Sequence, residues 1–218
     1  MRLSSVIVCM LVLFLAGSVS GDSIAVMSGN AAIGALDPLV SVVGAPVMVG
    51  GVSYPAADVA QQQALVITKN SVWVDAAPGS KWVGVANGTQ SSPRYGYIYS
   101  TTFSLPENYD TPLISMVFAC DDGADAYLNG HLIGSGGHLE VLTNFGTSNS
   151  AFFNSGLNVL QFYAHNNVFV SFNPSGLTFS GIVTYSPNAV PEPSSFAAIL
   201  SGISVTCISL RKKKRQRL

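Results

Sequence analysis

Ala124-Asp125-Ala126-Tyr127-Leu128-Asn129-Gly130-His131-Leu132-Ile133 reads as two short strands joined by a two-residue turn. Asn-Gly between alternating runs is the strongest short-range hairpin signal, because both residues tolerate the positive φ of a type I′ turn. Working outward, the same period of two recurs. Tyr95, Tyr97 and Tyr99 share one face of a strand that runs toward Phe103 and ends near Leu105-Pro106. Ile114, Met116 and Phe118 share a face of the next. Leu160, Phe162 and Ala164 form one face of a later strand whose other face carries Gln161, Tyr163 and His165, and Leu177–Tyr185 closes the series. No helical periodicity interrupts these runs, which Gly, Asn, Pro and Ser separate. The expected fold class is all-β, a single antiparallel β-sandwich.

The two ends read as address labels. Met1-Arg2, an apolar run from Val6 to Ala16 and small residues to Gly21 have the layout of a secretory signal peptide cut after Ser20. That run is about half the roughly 20 residues a membrane span needs. At the other end Phe196–Leu210 is apolar or small, and Arg211-Lys212-Lys213-Lys214-Arg215 follows at once. Fifteen helical residues reach roughly 22 Å, short of a ~30 Å bilayer core, and snorkelling cations with local thinning make up the difference. Basic residues prefer the cytoplasmic side, so this expected transmembrane helix leaves the bulk of the chain outside.

Charge follows the same division. The whole chain has a net charge of −1, but between Gly21 and Ala189 three cations (Lys69, Lys81, Arg94) face ten of the 11 acids, a net −7. So acidic a domain excludes nucleic acid as a partner, since that needs clustered cations. Cys9 and Cys207 lie in the apolar ends, which leaves Cys120 alone and without an internal disulfide partner. The expected parts are residues 1–20 as signal peptide, 21–71 as an arm or the first strands, 72–186 as the sandwich, and 187–218 as a sorting tail.

Val190-Pro191-Glu192-Pro193, the apolar run and the cation cluster resemble, in order and position, the PEP-CTERM sorting signal of Gram-negative bacteria. The resemblance implies processing by an exosortase, a membrane transpeptidase-like protease, and an exopolysaccharide or biofilm setting at the cell surface or in the extracellular matrix. Pro191 and Pro193 hold Glu192 extended, as a protease substrate requires. The series Trp82-Val83, Tyr95-Gly96-Tyr97, Phe103-Ser104-Leu105-Pro106, Cys120-Asp121-Asp122-Gly123, Leu128-Asn129-Gly130, Gly156–Phe162 and Asn173–Leu177 is similar to sandwich domains of PEP-CTERM proteins. It also resembles the galactose-binding-like jelly roll that precedes the catalytic barrel of β-galactosidases, and this chain lacks that barrel.

The chemistry-bearing residues are few. His131, His138 and His165 show no metal-site spacing, no Gly-x-Ser-x-Gly elbow occurs in the exported part, and nothing sets Glu107 opposite Glu140 as a glycosidase pair. The domain is therefore expected to be no enzyme. Asp121, Asp122 and Asp125 have two readings: carboxylates that cap a turn, or oxygen ligands of a Ca²⁺ site, the one cofactor the sequence suggests. Trp73, Trp82, Tyr54, Tyr95 and Tyr97 have two as well, a stacking platform for sugar rings or filling for the core. His165-Asn166-Asn167, where a strand meets a loop, is the expected edge for ligand contact, with Trp82 and Tyr95 as its aromatic partners. The function expected is a non-catalytic module that binds or associates with extracellular polysaccharide. A purely structural matrix protein is the alternative, and a polysaccharide hydrolase or lyase a more distant one.

Overall fold

The computed structural model describes residues 21–167 and 173–188. The signal segment, the Val190–Pro193 motif, the apolar run and the Arg211–Arg215 cluster lie outside the described residues. Within them the chain forms β1 (Asp22–Met27), β2 (Leu36–Gly44), β3 (Val47–Val49), β4 (Val52–Tyr54), β5 (Gln62–Val66) and β6 (Val83–Gly84). There follow β7 (Tyr95–Leu105), β8 (Tyr109–Asp121), β9 (Gly123–Leu128), β10 (His131–Ser135), β11 (Thr143–Thr147), β12 (Gly156–Asn166) and β13 (Gly176–Pro187). One 3₁₀ turn, Ser150–Phe152, is the helical element among the described residues, and no helix there is long and apolar enough to cross a membrane.

Alternation explains the long strands. In β7, Tyr97, Tyr99, Thr101, Phe103 and Leu105 are buried while Thr102 and Ser104 face solvent. In β12, Asn158, Leu160, Phe162, Ala164 and Asn166 point inward. Both strands thus present one apolar face, the condition for packing one sheet layer on another. The Asn129-Gly130 turn has φ of 49° and 83° at its two residues, and it pairs His131 with Leu128.

The strands hydrogen-bond in the order β10-β9-β12-β7-β2-β5-β6-β13-β8-β11, with β1 on the free side of β13. This is one sheet folded over on itself rather than two separate sheets. The short β5 and β6 turn the corner: Val66 pairs with Val83, and Val83 pairs in turn with Leu177 of β13. The front layer (β10, β9, β12, β7, β2) therefore faces the back layer (β13, β8, β11). Rings close the gap between them: Phe162 of β12 stacks on Phe179 of β13 at 4.7 Å and lies 5.6 Å from Phe118 of β8. Each such buried side chain contributes about 1.5–3 kcal/mol, so this aromatic seam is a principal source of stability.

Residues 21–71 are built into this framework. β1 pairs with β13 from Asp22↔Tyr185 to Met27↔Ser180, and β2 pairs with β7 from Ser41↔Ser100 to Gly44↔Tyr97. Buried Asp37 holds the connecting loop, its Oδ2 accepting from the Gly29 N–H at 2.6 Å. The β3–β4 hairpin leaves the sheet and forms a two-stranded piece of its own. Its tip is Gly50-Gly51, where φ of 55° and 81° admits glycine most easily. Its base is pressed onto β7, since a Cβ on Gly96 would stand 2.4 Å from the Ala45 carbonyl oxygen.

Candidate functional site

The site is the outer surface of the β9–β12 pair, partly roofed by the β3–β4 hairpin. In register, Gly123 faces His165, Asp125 faces Tyr163 and Tyr127 faces Gln161. The period of two puts Asp125 and Tyr127 on the same outward side of β9, and Gln161, Tyr163 and His165 on that side of β12. Tyr127 and Tyr163 are diagonal neighbours, and their rings pack at 4.4 Å with 33° between planes. Both remain half-exposed. Gln161 extends this surface toward β7, its side-chain amide donating to the Ser100 hydroxyl at 3.3 Å. Leu132, opposite Tyr127 on β10 and 53% exposed, extends it the other way.

At the roofed end the His165 ring stacks on Tyr54 of β4 at 4.2 Å and 16°. Gly123 makes room for it, because a Cβ there would meet His165 Cε1 at 2.9 Å. The Gly50 N–H at the hairpin tip donates to Asp125 Oδ2 at 3.1 Å, while the other oxygen of this buried carboxylate has no protein partner. His165 Nδ1 is also buried without one. Burial lowers the His165 pKa, against the pull of the nearby Asp122 and Asp125 charges, so the ring is neutral at neutral pH. Burial, then the Asp125 charge and Tyr163, raise the pKa of the Tyr127 hydroxyl. Together these groups offer flat apolar faces, fixed donors and acceptors, and negative potential.

The residues singled out from the sequence separate in space. Trp82 is 2% exposed and packs against Trp73 at 4.4 Å, with Ile67 and Ala119 beside it; its indole N–H donates to the Val74 carbonyl at 3.2 Å. It lies in the core and has no free face for a sugar ring, since Trp73, Ile67 and Ala119 enclose it and both indoles are 2% exposed. Trp73 is equally buried, and its indole N–H donates to Asp121 Oδ2 at 2.7 Å. Tyr97 is buried too, its hydroxyl donating to the Pro93 carbonyl. Tyr95 stands 37% exposed at the start of β7, opposite Asn166.

Asn166 points inward and ties two loops, its amide donating to the Pro93 carbonyl at 3.0 Å and the Ser92 carbonyl at 3.4 Å in one and to the Asn173 carbonyl at 3.5 Å in the other. Asn167 donates its backbone N–H to Asp122 Oδ2 at 2.6 Å and accepts at its carbonyl from the Asn173 amide. Of the expected contact edge, His165 alone is on the aromatic surface. Asp121 and Asp122 lie against each other, but the three carboxylates are held by different partners. Asp121 is held by Trp73, Asp122 by Asn167 and Asp125 by Gly50, and no group of three or more His, Cys, Asp or Glu among the described residues is placed to hold a metal ion. Burial, the Asp122 carboxyl and its charge raise Asp121 to about 7. Burial, first, and the Asp121 and Asp122 charges push the Cys120 thiol up, which keeps it unreactive.

Tyr127 was absent from the sequence-derived candidates, and Tyr163 was placed only on the face opposite the core residues. Alternation within each strand was readable. The pairing of β9 with β12, which brings the two rings together, joins residues more than thirty positions apart and has no local signal.

No protein-family model and no curated protein matches the chain. Among solved structures, a family 35 carbohydrate binding module from Clostridium thermocellum is 14% identical over 55% of this chain and 86% of its own, with a TM-score of 0.32. A second family 35 module, from an environmental isolate, is 10% identical over 69% of this chain and 98% of its own, TM-score 0.31. The β-glucosidase of Kluyveromyces marxianus, solved in complex with glucose, is 11% identical over 78% of this chain but only 19% of its own, TM-score 0.34. These overlaps are partial.

Proposed function

We propose that the β9–β12 surface binds polysaccharide without cutting it, on a protein exported and sorted to the cell surface or extracellular matrix. The observation that carries the reading is the Tyr127–Tyr163 pair: two half-exposed rings packed at 4.4 Å with 33° between planes on the outer side of β9 and β12, with the Gln161 amide and Ser100 hydroxyl beside them. Sugar rings present axial C–H faces to aromatic rings, and their hydroxyls need fixed hydrogen-bond partners at the rim. Binding rather than hydrolysis is favoured because Asp122 accepts from the Asn167 N–H and one Asp125 oxygen from the Gly50 N–H, an arrangement that does not set two free carboxylates face to face as glycoside hydrolysis requires. A galactose-binding-like jelly roll is the finer description of the fold that goes with this reading.

Affinity electrophoresis of the purified protein through gels containing a panel of neutral, amino and acidic polysaccharides tests it. Retardation by at least one polymer, abolished in Tyr127→Ala, is the expected result. Unretarded migration through every gel would leave a structural matrix component without sugar binding as the better reading. Release of reducing ends from any retarding polymer would restore an enzymatic one.

The sorting part of the proposal rests on the Val190–Pro193 motif and the apolar and basic segments after it. Mass spectrometry of the protein from its native envelope should find an N-terminus near Gly21 and a C-terminus near the motif, the latter lost when the exosortase gene is deleted. A full-length cytosolic product would defeat it.

A further inference from the structure

The charge of the surface narrows the kind of polysaccharide, an inference that rests on the binding reading above. Asp125 lies directly opposite Tyr163 in register and two residues from Tyr127 on the same side of β9. It is 5% exposed, and one of its oxygens has no protein partner. Asp122 adds a second carboxylate next to His165, whose ring is neutral.

No cation among the described residues is paired with Asp125. Lys69 Nζ is 2.7 Å from the Asp75 carboxylate and also donates to the Trp73 carbonyl. Lys81 Nζ donates to the Gly29 carbonyl. Arg94 precedes β7, and Tyr95 pairs with Asn166, so its backbone lies level with the far end of β12. Four residues separate that level from Tyr163, about 13 Å along a strand, so the Arg94 backbone stands level with Asn167 and Asp122 rather than with Asp125. A buried carboxylate without a cation is a costly arrangement, and the cost falls when a ligand brings the counter-charge. The faces of the two tyrosines, which carry the negative part of the ring quadrupole, attract the same kind of ligand.

We propose that the Tyr127–Tyr163 surface selects polysaccharide bearing free amino groups, as protonated 2-amino-2-deoxyhexose units, over neutral and uronate-containing chains. A sugar ring lies on the tyrosines and its ammonium is drawn toward the Asp125 end of the surface. Uronates meet repulsion from Asp125, Asp122 and a domain of net charge −7.

Isothermal titration of the purified full chain with β-1,4-glucosamine oligomers, the same oligomers fully N-acetylated, and oligogalacturonate tests this. The expected result is that the amine form binds tenfold or more tightly than the acetylated form, with no uptake of the uronate. The preference should shrink as pH rises through deprotonation of the ligand amines, a readout that needs no variant. It should also shrink in Asp125→Asn, which keeps an acceptor for the Gly50 N–H, provided thermal unfolding shows the variant folded. Equal affinity for amine and acetylated oligomers, both lost in Tyr163→Ala, would overturn the charge selection and leave sugar binding standing. Amine binding that survives Tyr163→Ala, or that polylysine displaces equally well, would reduce it to polyelectrolyte attraction. Preference for the uronate overturns it outright. Failure of every oligomer would overturn the amine selection, and the binding reading would then stand or fall on the polysaccharide panel.

Discussion

Two aromatic pairs in this molecule have nearly the same geometry and different fates. Trp73 and Trp82 meet at 4.4 Å with 32° between planes, and Tyr127 and Tyr163 at 4.4 Å with 33°. The tryptophans lie on Ala119 of the back layer, where Ile67 and partly buried Val74 and Ala76 close over them. The tyrosines lie on the front layer, where the β3–β4 hairpin roofs His165 but leaves the rings half-exposed. An aromatic pair is core or contact surface according to what covers it. The polar atoms record the difference: both indole N–H groups have partners within the protein, while Asp125 and His165 at the tyrosine end keep unpartnered atoms.

Removing a ring from the covered pair should give the largest effect. Trp82→Ala empties a site from which water is excluded and is expected to cost about 3–5 kcal/mol, lowering Tm by on the order of 10 °C. Glycan affinity, measured well below the lowered Tm, should not change. A stability loss under about 1 kcal/mol would mean that the tryptophans are not core, and the contrast would fail at its stronger end.

Asp121 gives the covered pair a pH dependence between acid and neutral pH. Its folded pKa of about 7 stands above the ordinary 3.8, so the folded protein keeps a proton that the unfolded chain gives up. That contribution is complete below pH 3.8, declines as pH rises, and is gone above about 7. The full shift corresponds to about 4 kcal/mol, and partial solvent screening of the carboxyl brings the expected loss of unfolding free energy between pH 4 and 8 to on the order of 2 kcal/mol. Asp121→Asn, which retains an oxygen to accept from the Trp73 N–H, should flatten the profile. Chemical denaturation at several pH values decides it; an unaltered profile in the variant would show that Asp121 is not the titrating group.

The open pair should answer in binding rather than stability. Tyr163→Ala removes one half-exposed ring, so it is expected to lower affinity for the retarding polysaccharide about tenfold, or ~1.4 kcal/mol. The accompanying loss of stability should be well below that of Trp82→Ala. If Tyr163→Ala unfolds the domain while leaving affinity per folded molecule intact, the tyrosines are a structural pair and the two regions do not differ as argued.

The contrast also shows what the sequence could reveal. Asn129-Gly130 and the alternation of β7, β8 and β12 were legible because turn chemistry and strand period are local properties. The inward set Leu160, Phe162 and Ala164, with Gln161, Tyr163 and His165 on the other side, could be read from spacing alone. The destination of each face could not. Trp82 and Tyr127 are both aromatic residues in short apolar runs, and only the fold puts Trp73 over one and leaves the other open. The Ala-, Val- and Gly-rich start was ambiguous for a related reason. β1 pairs with β13 over 150 residues away, and the hairpin after β2 gains its place by roofing a surface built from later strands. Asn166 shows the opposite error, since a polar residue at a strand end reads as exposed, yet its alternation with Ala164 turns it inward to tie loops.

The smallest effect tests the border between the covered and open regions. Gly123 lets the His165 ring lie beneath Tyr54, and a methyl group there would press on His165 Cε1 at 2.9 Å and on the Gly137 carbonyl oxygen at 3.2 Å. Gly123→Ala is therefore expected to cost about 1 kcal/mol, the low end for overpacking, because a ring at the edge of the site can swing outward. Swinging outward hydrates the imidazole. Burial is what holds its pKa below 6.5, so the pKa followed by NMR through the ring protons should rise toward that ordinary value. The native ring resists protonation, so acidification through and below pH 6.5 works against the folded state at this residue, and the variant should lose that sensitivity. A pKa that does not move, with the ring still stacked on Tyr54, would mean that the roof yields instead of the histidine, and that the hairpin is the softer partner of the two.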